Sequence, residues 1–517
     1  MAFAQGAGLA LDLPAQGDPS LVPLMPRLSS PVSASAPNSR RIPSNAGPLV
    51  AAFLGSVLLS VLAFSSATIV SRDAALYLEV ARQVVELGPT SAFRAFNWPW
   101  FSLLLAATSS VVGLPLEAAA YFWCTLFAAG TSVLLVLVTR RFAPGSAWWA
   151  CLVVLSVPAF NQFRGDIIRE HGSWFFSLVA LLLALRWWER GGWWRAAAIQ
   201  SSIALAALFR LEAVILAPAL ALCMLGDLQT RQGWKRLLQL NALPLASIAA
   251  MGLAWLSGAY LSQPRIVDFL AMVDPRVIWL QFESMADQVA AVLVNHGKAD
   301  ARQILFFGLS LTLLVKFLAL SGPLCLPLLD RTNWQAVGEF WRKLRPFAWT
   351  WILYLCVLLV FFVQQRFINS RYISFLNLLV VPLLTMALMM FCRKHARWAR
   401  FVVLLLLLVM VDNVVSLKPG KTHYREAAAW VAANTRADDL VYYEDPRIAY
   451  YAGRGYPVTA VTGEQVVTGQ EAQEYRYYLF THKPDSQSLG LWLASRQQHV
   501  IRRFENRGGD TILVIGQ

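Results

Sequence analysis

Long apolar runs separated by short polar turns repeat from about residue 48 to residue 416. Each approaches the ~20 residues an α-helix needs to cross a bilayer core. In order they predict eleven spans, at about 48–70, 117–138, 146–163, 174–188, 196–209, 211–226, 238–260, 304–328, 347–363, 372–391 and 401–416. The pattern changes between the first two. Leu76, Val80, Val84 and Leu87 recur at helical spacing, with Asp73, Arg82, Gln83 and Glu86 on the other side. That predicts an amphipathic helix over Asp73 to Leu87, lying on the membrane surface. The stretch 98–113 is apolar but only about 16 residues long, and opens with Trp98-Pro99-Trp100. If it crossed, Arg140, Arg141, Arg186, Arg190 and Arg195 would emerge outside. If it stays at the interface they fall inside, as basic residues prefer, so it reads as a second juxtamembrane helix.

The two ends differ from this middle. Residues 1–47 are rich in Pro, Ser, Ala and Gly and include Arg40 and Arg41, which predicts a disordered cytoplasmic tail. The membrane region is 48–416. Beyond it, 417–517 turns polar and reads as a helix over His423 to Asn434, with strands at Asp439 to Tyr443, Tyr475 to Thr481, Arg502 to Phe504 and Thr511 to Ile515. This is a small α/β domain, placed outside the membrane by an odd number of spans with the amino terminus inside. No internal repeat is visible, which weakens an inverted-repeat transporter reading.

Composition excludes a soluble protein. Hydrophobic residues make up 57% of the chain and charged residues 14%, against about 25% charged in soluble domains. The net charge of +14 would suggest a nucleic-acid partner were it not so localised. Segments assigned to the inside hold 19 Lys/Arg against 6 Asp/Glu, and everything else 25 against 24. The excess is therefore the positive-inside bias, and no nucleic acid is expected as a partner. The cysteines Cys124, Cys151, Cys223, Cys325, Cys356 and Cys392 all fall in or at apolar runs, where they read as packing residues.

Four ionisable groups remain on the outer side that topology does not explain. Asp73, with Tyr77 one turn on and Glu79 nearby, reads either as a carboxylate favouring a helix amino terminus or as a general base at the membrane surface. The loop Arg164-Gly-Asp166-Ile-Ile-Arg169-Glu170-His171 reads either as a solvated turn or as a polar site on the same side. Arg210 and Glu212 interrupt an apolar stretch, where burial would be costly. Two residues apart they do not face each other on a helix, so a break between two short spans is expected, with Arg210 at a polar cavity. Last, Arg366, Arg371 and Tyr372 follow Gln364-Gln365 on the side where arginines are scarce, and offer donors for a phosphate. Arginines holding a phosphate leaving group, beside a carboxylate that activates a hydroxyl, are the minimum for glycosyl transfer from a lipid phosphate.

The order of these features resembles the GT-C superfamily of polyprenol-phosphate-dependent glycosyltransferases, in its protein-mannosyltransferase and aminoarabinose-transferase branch. The resemblance rests on Asp73-Ala-Ala-Leu-Tyr77-Leu-Glu79, Trp98-Pro99-Trp100, Val157-Pro158, Ile168-Arg169-Glu170, Leu208-Phe209-Arg210-Leu-Glu212, Arg371-Tyr372 and His423-Tyr-Arg-Glu-Ala-Ala-Ala-Trp430-Val. It covers about 48–225 and 364–455. It implies a polytopic helical GT-C fold with about 11 transmembrane helices and two juxtamembrane helices, followed by an extracytoplasmic α/β domain. Asp73 would be the catalytic carboxylate of an inverting attack, with Glu170 or Asp166 as the acidic residue of the second outer loop. Arg210 and Arg371 would meet the donor phosphate. Asp73 lacks the second acidic residue that many members place after it, and Phe209 stands for a usual small polar residue.

The resulting expectation is a transferase of the bacterial inner membrane that moves a sugar from an undecaprenyl-phosphate donor to an extracytoplasmic acceptor. Asp73 and Glu170 are its catalytic pair, and Arg210, Arg366, Arg371 and Tyr372 its phosphate contacts. Tyr77, Asp166, Arg169, His171 and Glu212 complete the expected substrate site. Asp73, Glu170 and His171 are candidate ligands for a divalent ion (Mg, Mn or Zn). A transporter or flippase would use the same arginines along its path, with Lys316 inside its span. A polymerase or ligase of the other GT-C branch would take a polyprenyl diphosphate donor. The outer loop 261–303, with Pro264, Asp274-Pro275-Arg276 and His296, is expected to cover the site.

Overall fold

In a computed structural model of the 517-residue chain, the described residues are 46–257, 272, 274–415, 419–457, 461–468, 475–481 and 486–517. Of the expected tail 1–47, residues 1–45 lie outside them, as do Pro264 and the rest of 258–271, and Gly47 already begins the first helix. The chain runs α1 (Gly47–Ser65), α2 (Arg72–Leu87), α3 (Thr90–Ala95), α4 (Trp100–Val112), α5 (Leu116–Phe142), α6 (Ala147–Ser156), α7 (Pro158–Asn161), α8 (Glu170–Arg190), α9 (Trp193–Phe209), α10 (Leu216–Cys223) and α11 (Arg231–Leu256). It continues through α12 (Pro275–Val292), α13 (Ala301–Ser321), α14 (Gln335–Lys343), α15 (Arg345–Gln365), α16 (Ser370–Lys394) and α17 (Ala396–Asp412).

Among the described residues, five stretches are long and apolar enough to cross a membrane: α1, α5, Asn295–Leu329, α15 and α16. The other expected spans are helical, but shorter, broken or more polar. The reasons are local. Pro158 lacks an N–H and follows Val157 in an extended conformation, which splits the expected span 146–163 into α6 and α7. The expected span 211–226 begins as a 3₁₀ turn, Leu211–Ile215, before α10. The expected loop 261–303 contains α12, capped by Asp274, whose side chain accepts from the Arg276 N–H. This helix packs on α13 and α15.

Both juxtamembrane helices are present. Ser71 caps α2 by accepting from the Ala74 N–H. Its buried stripe includes the expected Val80, with Val84 partly buried, but is shifted otherwise. Ala74, Tyr77, Leu78 and Ala81 face α4 and the core, whereas Leu87 is 71% exposed. The small alanines allow close approach, which large-residue spacing could not reveal. With 13 residues, α4 is about 20 Å long, too short for a core of about 30 Å. Trp98 fixes its start by donating from Nε1 to the Ala207 carbonyl, near the end of α9.

α16 is central to the membrane region, buried along most of its length against α5, α6, α13 and α15. After it the small domain contains α18 (Thr422–Asn434), β1 (Val441–Tyr443), α19 (Pro446–Tyr451), α20 (Gly463–Val467), β2 (Tyr477–Phe480), α21 (Ser486–Ser495), β3 (His499–Glu505) and β4 (Thr511–Gly516). The sheet order is β1-β2-β4-β3, with β1 parallel to β2 and the other pairs antiparallel. Strand alternation sorts the two faces. Leu479, Ile512 and Val514 join Tyr424, Val431 and Ile448 of the helices, while Tyr442, Tyr478, Phe480 and Ile515 pack with Trp492. All four expected strands are present, and the short helices α19, α20 and α21 are additions.

Candidate active site

Three helix amino termini meet at one place. Asp73 is the second residue of α2, Glu170 the first of α8 and Arg371 the second of α16. Asn369 starts α16 by accepting from the Arg371 N–H at 3.1 Å. A cation in the first turn opposes the helix dipole, so Arg371 is not there to stabilise its own helix. Carboxylates offset it. Its guanidinium pairs with Asp73, and its Nε lies 3.3 Å from Glu170 Oε1.

Glu170 is 2% exposed and also accepts from Arg210 Nη1 at 2.6 Å. Arg210 is extended (φ −146°, ψ 119°), because α9 ends at Phe209 and the chain turns into the 3₁₀ segment. The expected break is therefore present, but the expectation that Arg210 and Glu212 would not pair is corrected. Off the helix they do face each other, with Nη2 2.5 Å and Nε 3.2 Å from the two Glu212 oxygens. Asp73, Arg371, Glu170, Arg210 and Glu212 thus form one alternating chain of charges. Tyr372 lies under both guanidiniums, at 4.4 Å from Arg210 and 5.3 Å from Arg371.

Four of its members, Arg371, Glu170, Arg210 and Glu212, line a cavity with an empty volume of about 300 Å³, including its open mouth; Asp73 is outside the lining and meets it through Arg371. Glu170, Ser173, Trp174 and Ser177 line it from α8, and Arg210, Glu212 and Ala213 from the break. Tyr354, Arg371, Tyr372 and Phe375 close it from α15 and α16. Glu170 Oε2 and Ser177 Oγ are buried without hydrogen-bond partners. Sequence reasoning missed Ser173, Trp174, Ser177 and Tyr354. They lie in apolar runs, and only the helical phase set by packing turns them inward. Tyr354 donates to the Tyr372 carbonyl at 3.1 Å.

Other expected residues sit outside the cavity lining. Tyr77 is buried between Phe96 and Phe101, so it reads as core. His171 faces Phe160 and Trp174, with Nε2 3.2 Å from the Phe163 carbonyl. Arg169 lies over the Phe96 ring. Arg366 caps the end of α15, exposed and left-handed (φ 58°), and joins none of the cavity's ion pairs. Asp166 does not line the cavity but senses its charges. Burial pushes its carboxyl up to about 6, Arg371 draws it down, and Glu170 and Asp73 add to the rise.

Arg164, expected at the same outer site, is instead a buried strut. It donates to Asn161 Oδ1 and, from Nη1, to Ser56 O, Ser56 Oγ and Ser60 Oγ of α1. Lys316 donates to the Ile368 carbonyl at 2.8 Å. Among the described residues, no three His, Cys, Asp or Glu side chains group to hold a metal ion. Asp73 and Glu170 share Arg371, and His171 is committed elsewhere. The expected three-residue metal set therefore does not fit this geometry, and no step is derived through a metal.

Comparison with solved structures gives ArnT from Cupriavidus metallidurans, in a crystal structure bound to undecaprenyl phosphate. The TM-score is 0.54 at 13% sequence identity, covering 91% of this chain and 98% of that one. The apo-state crystal structure of ArnT aligns with a TM-score of 0.42 at 12% identity, over 90% and 97% of the two chains. No protein-family model and no curated protein sequence matches the chain.

Proposed function

Starting from the GT-C glycosyltransferase fold that this chain shares with ArnT, we propose that it transfers a sugar from an undecaprenyl-phosphate donor to a hydroxyl-bearing acceptor outside the cytoplasm. The observation that carries this reading is the convergence of three helix amino termini around Asp73, Glu170 and Arg371. Helix amino termini and arginines together favour an anionic leaving group. The undecaprenyl phosphate bound to ArnT supports the choice of anchor.

The chemistry then follows from the charges. Five linked groups carry three carboxylates and two guanidiniums, so a phosphate gains an arginine only by displacing a carboxylate. Asp73 and Glu212 are the exchangeable ones, with side chains 39% and 33% exposed against 3% for Glu170, so Arg371 and Arg210 can each release one carboxylate. A donor phosphate that takes Arg371 leaves the Asp73 carboxylate free for an acceptor hydroxyl. Asp73 accepts the hydroxyl proton as the oxygen attacks the anomeric carbon. The bond from that carbon to the phosphate oxygen breaks on the opposite side, with inversion. Its electron pair leaves on undecaprenyl phosphate, held by Arg371 and Arg210. The second oxygen of Glu170 remains to orient a donor hydroxyl.

This reading places the protein in a bacterial inner membrane, with the amino terminus cytoplasmic and the small domain periplasmic. Lipid extracts from cells lacking the protein, complemented with wild type or Asp73→Asn, test it by mass spectrometry. A polyprenyl-phosphate monosaccharide should accumulate in the null and in Asp73→Asn, a loss of about 10²–10⁴-fold in transfer, and vanish with wild type. Clearance of that lipid by Asp73→Asn would remove the base assignment.

A further inference from the structure

The segment between α1 and α2 ends at Ser71, two residues before Asp73, and the small domain grips it from several directions. Tyr451 Oη accepts from the Val70 N–H at 2.8 Å, and Arg447 Nη1 donates to the Val70 carbonyl at 3.5 Å. Thr68 Oγ1 accepts from the Lys421 N–H at 2.9 Å. Asp445 is fully buried, with 0% exposure, and accepts from Arg447 Nε at 2.9 Å and Nη2 at 2.7 Å. Its Oδ2 also takes Arg72 Nε at 3.0 Å.

We propose that the small domain positions the Asp73 carboxylate, with Asp445 as the positioning residue, acting through Arg72 and through the Arg447 that holds Val70. The inference rests on the catalytic reading of Asp73. Asp445 touches neither the cavity nor Asp73, so its role is one of placement. A buried carboxylate with two arginines is a costly arrangement for a simple domain contact. Its outward arm reaches the residue preceding Asp73 in the first turn of α2. Residues 66–71 have no other regular structure to hold them, and displacing a catalytic group by about 1 Å costs about 10²-fold in rate.

The test uses full-length protein in nanodiscs, with the polyprenyl-phosphate sugar lipid extracted from the deletion strain as donor and a deletion-strain membrane extract as acceptor. Arg72→Gln is the main variant, since a side chain 52% exposed can change without preventing folding; Asp445→Asn accompanies it. Both should lower kcat about 10–100-fold, with the donor KM and binding of added undecaprenyl phosphate near wild type; the unfolding midpoint should stay near wild type in Arg72→Gln and fall in Asp445→Asn, which leaves Arg447 without its buried partner. Arg72→Lys should recover most of kcat. Hydrogen exchange at residues 67–75 should quicken about tenfold in Arg72→Gln. Wild-type kcat and exchange in Arg72→Gln would overturn the inference, as would a kcat loss that merely tracks unfolding. An active Asp73→Asn protein with faster exchange in Arg72→Gln would instead sink the catalytic reading, leaving only the mechanical link.

Discussion

At the scale of single residues, Gly172 and Phe209 set the distance between the two halves of the site. A Cβ at Gly172 would lie 2.5 Å from Phe209 Cδ1 and 2.7 Å from its Cγ. The ring is fixed by Phe101, Phe127 and Phe176 and cannot yield. Gly172 is two residues from Glu170, and Phe209 precedes Arg210. Gly172→Ala should therefore cost about 1–3 kcal/mol of stability through overpacking, and should raise the donor KM by spreading Glu170 from Arg210. Thermal unfolding in detergent and a donor titration check the two halves. Phe209 thus has a packing reason for standing where the resemblance expects a small polar residue. Arg210 and Glu212 were legible as a break, but their pairing was not, because sequence spacing says nothing about neighbours once a helix ends.

At the scale of elements, the junction of α1 with the α7–α8 loop depends on Arg164. The loop Arg164 to His171 was legible as chemically dense, yet its members divide between three environments. Glu170 lines the cavity, His171 enters the aromatic core, and Arg164 ties Asn161 to Ser56 and Ser60. Arg164→Met should leave Asn161 Oδ1 and the Ser56 carbonyl without that donor. At about 1–3 kcal/mol for each buried group left unsatisfied, a loss of about 2–6 kcal/mol is expected, with the donor KM little changed. Denaturant or thermal unfolding of the two proteins side by side measures it. Equal stability would mean that α1 is held by packing alone.

At the scale of the whole molecule, the small domain and the membrane region share the Asp445 cluster. Burial would raise the Asp445 carboxyl, but the hydrogen bonds and charges of Arg447, with Arg72 assisting, hold it down at about 2. A carboxyl depressed on folding stabilises the native state above its unfolded value near 4, and loses that contribution as the pH falls through 2. The contribution is about 2 kcal/mol. Protection of the amides of residues 67–75, taken relative to their intrinsic exchange rate at each pH, should stay high from pH 7 down to about 4 and fall between 4 and 2. Asp445→Asn should abolish that dependence, with low protection at every pH.

By itself the sequence determined the membrane region, the two juxtamembrane helices and the polar α/β domain. Run length, amphipathic spacing and charge bias are properties of consecutive residues, so they survive without a structure. It also singled out Arg210, since an ionisable group interrupting an apolar run is costly enough to stand out, and Asp73, Glu170 and Arg371 as outer-side charges that topology does not explain and that match the resemblance. Only the tertiary structure decided which of the charged residues meet. It brought Asp73 to Arg371, nearly three hundred positions away, turned Arg366 out and Arg164 inward, and joined Asp445 to the start of α2. Those choices depend on helix phase, on close approach at small residues and on where helices stop, each a balance struck among neighbours distant in the chain.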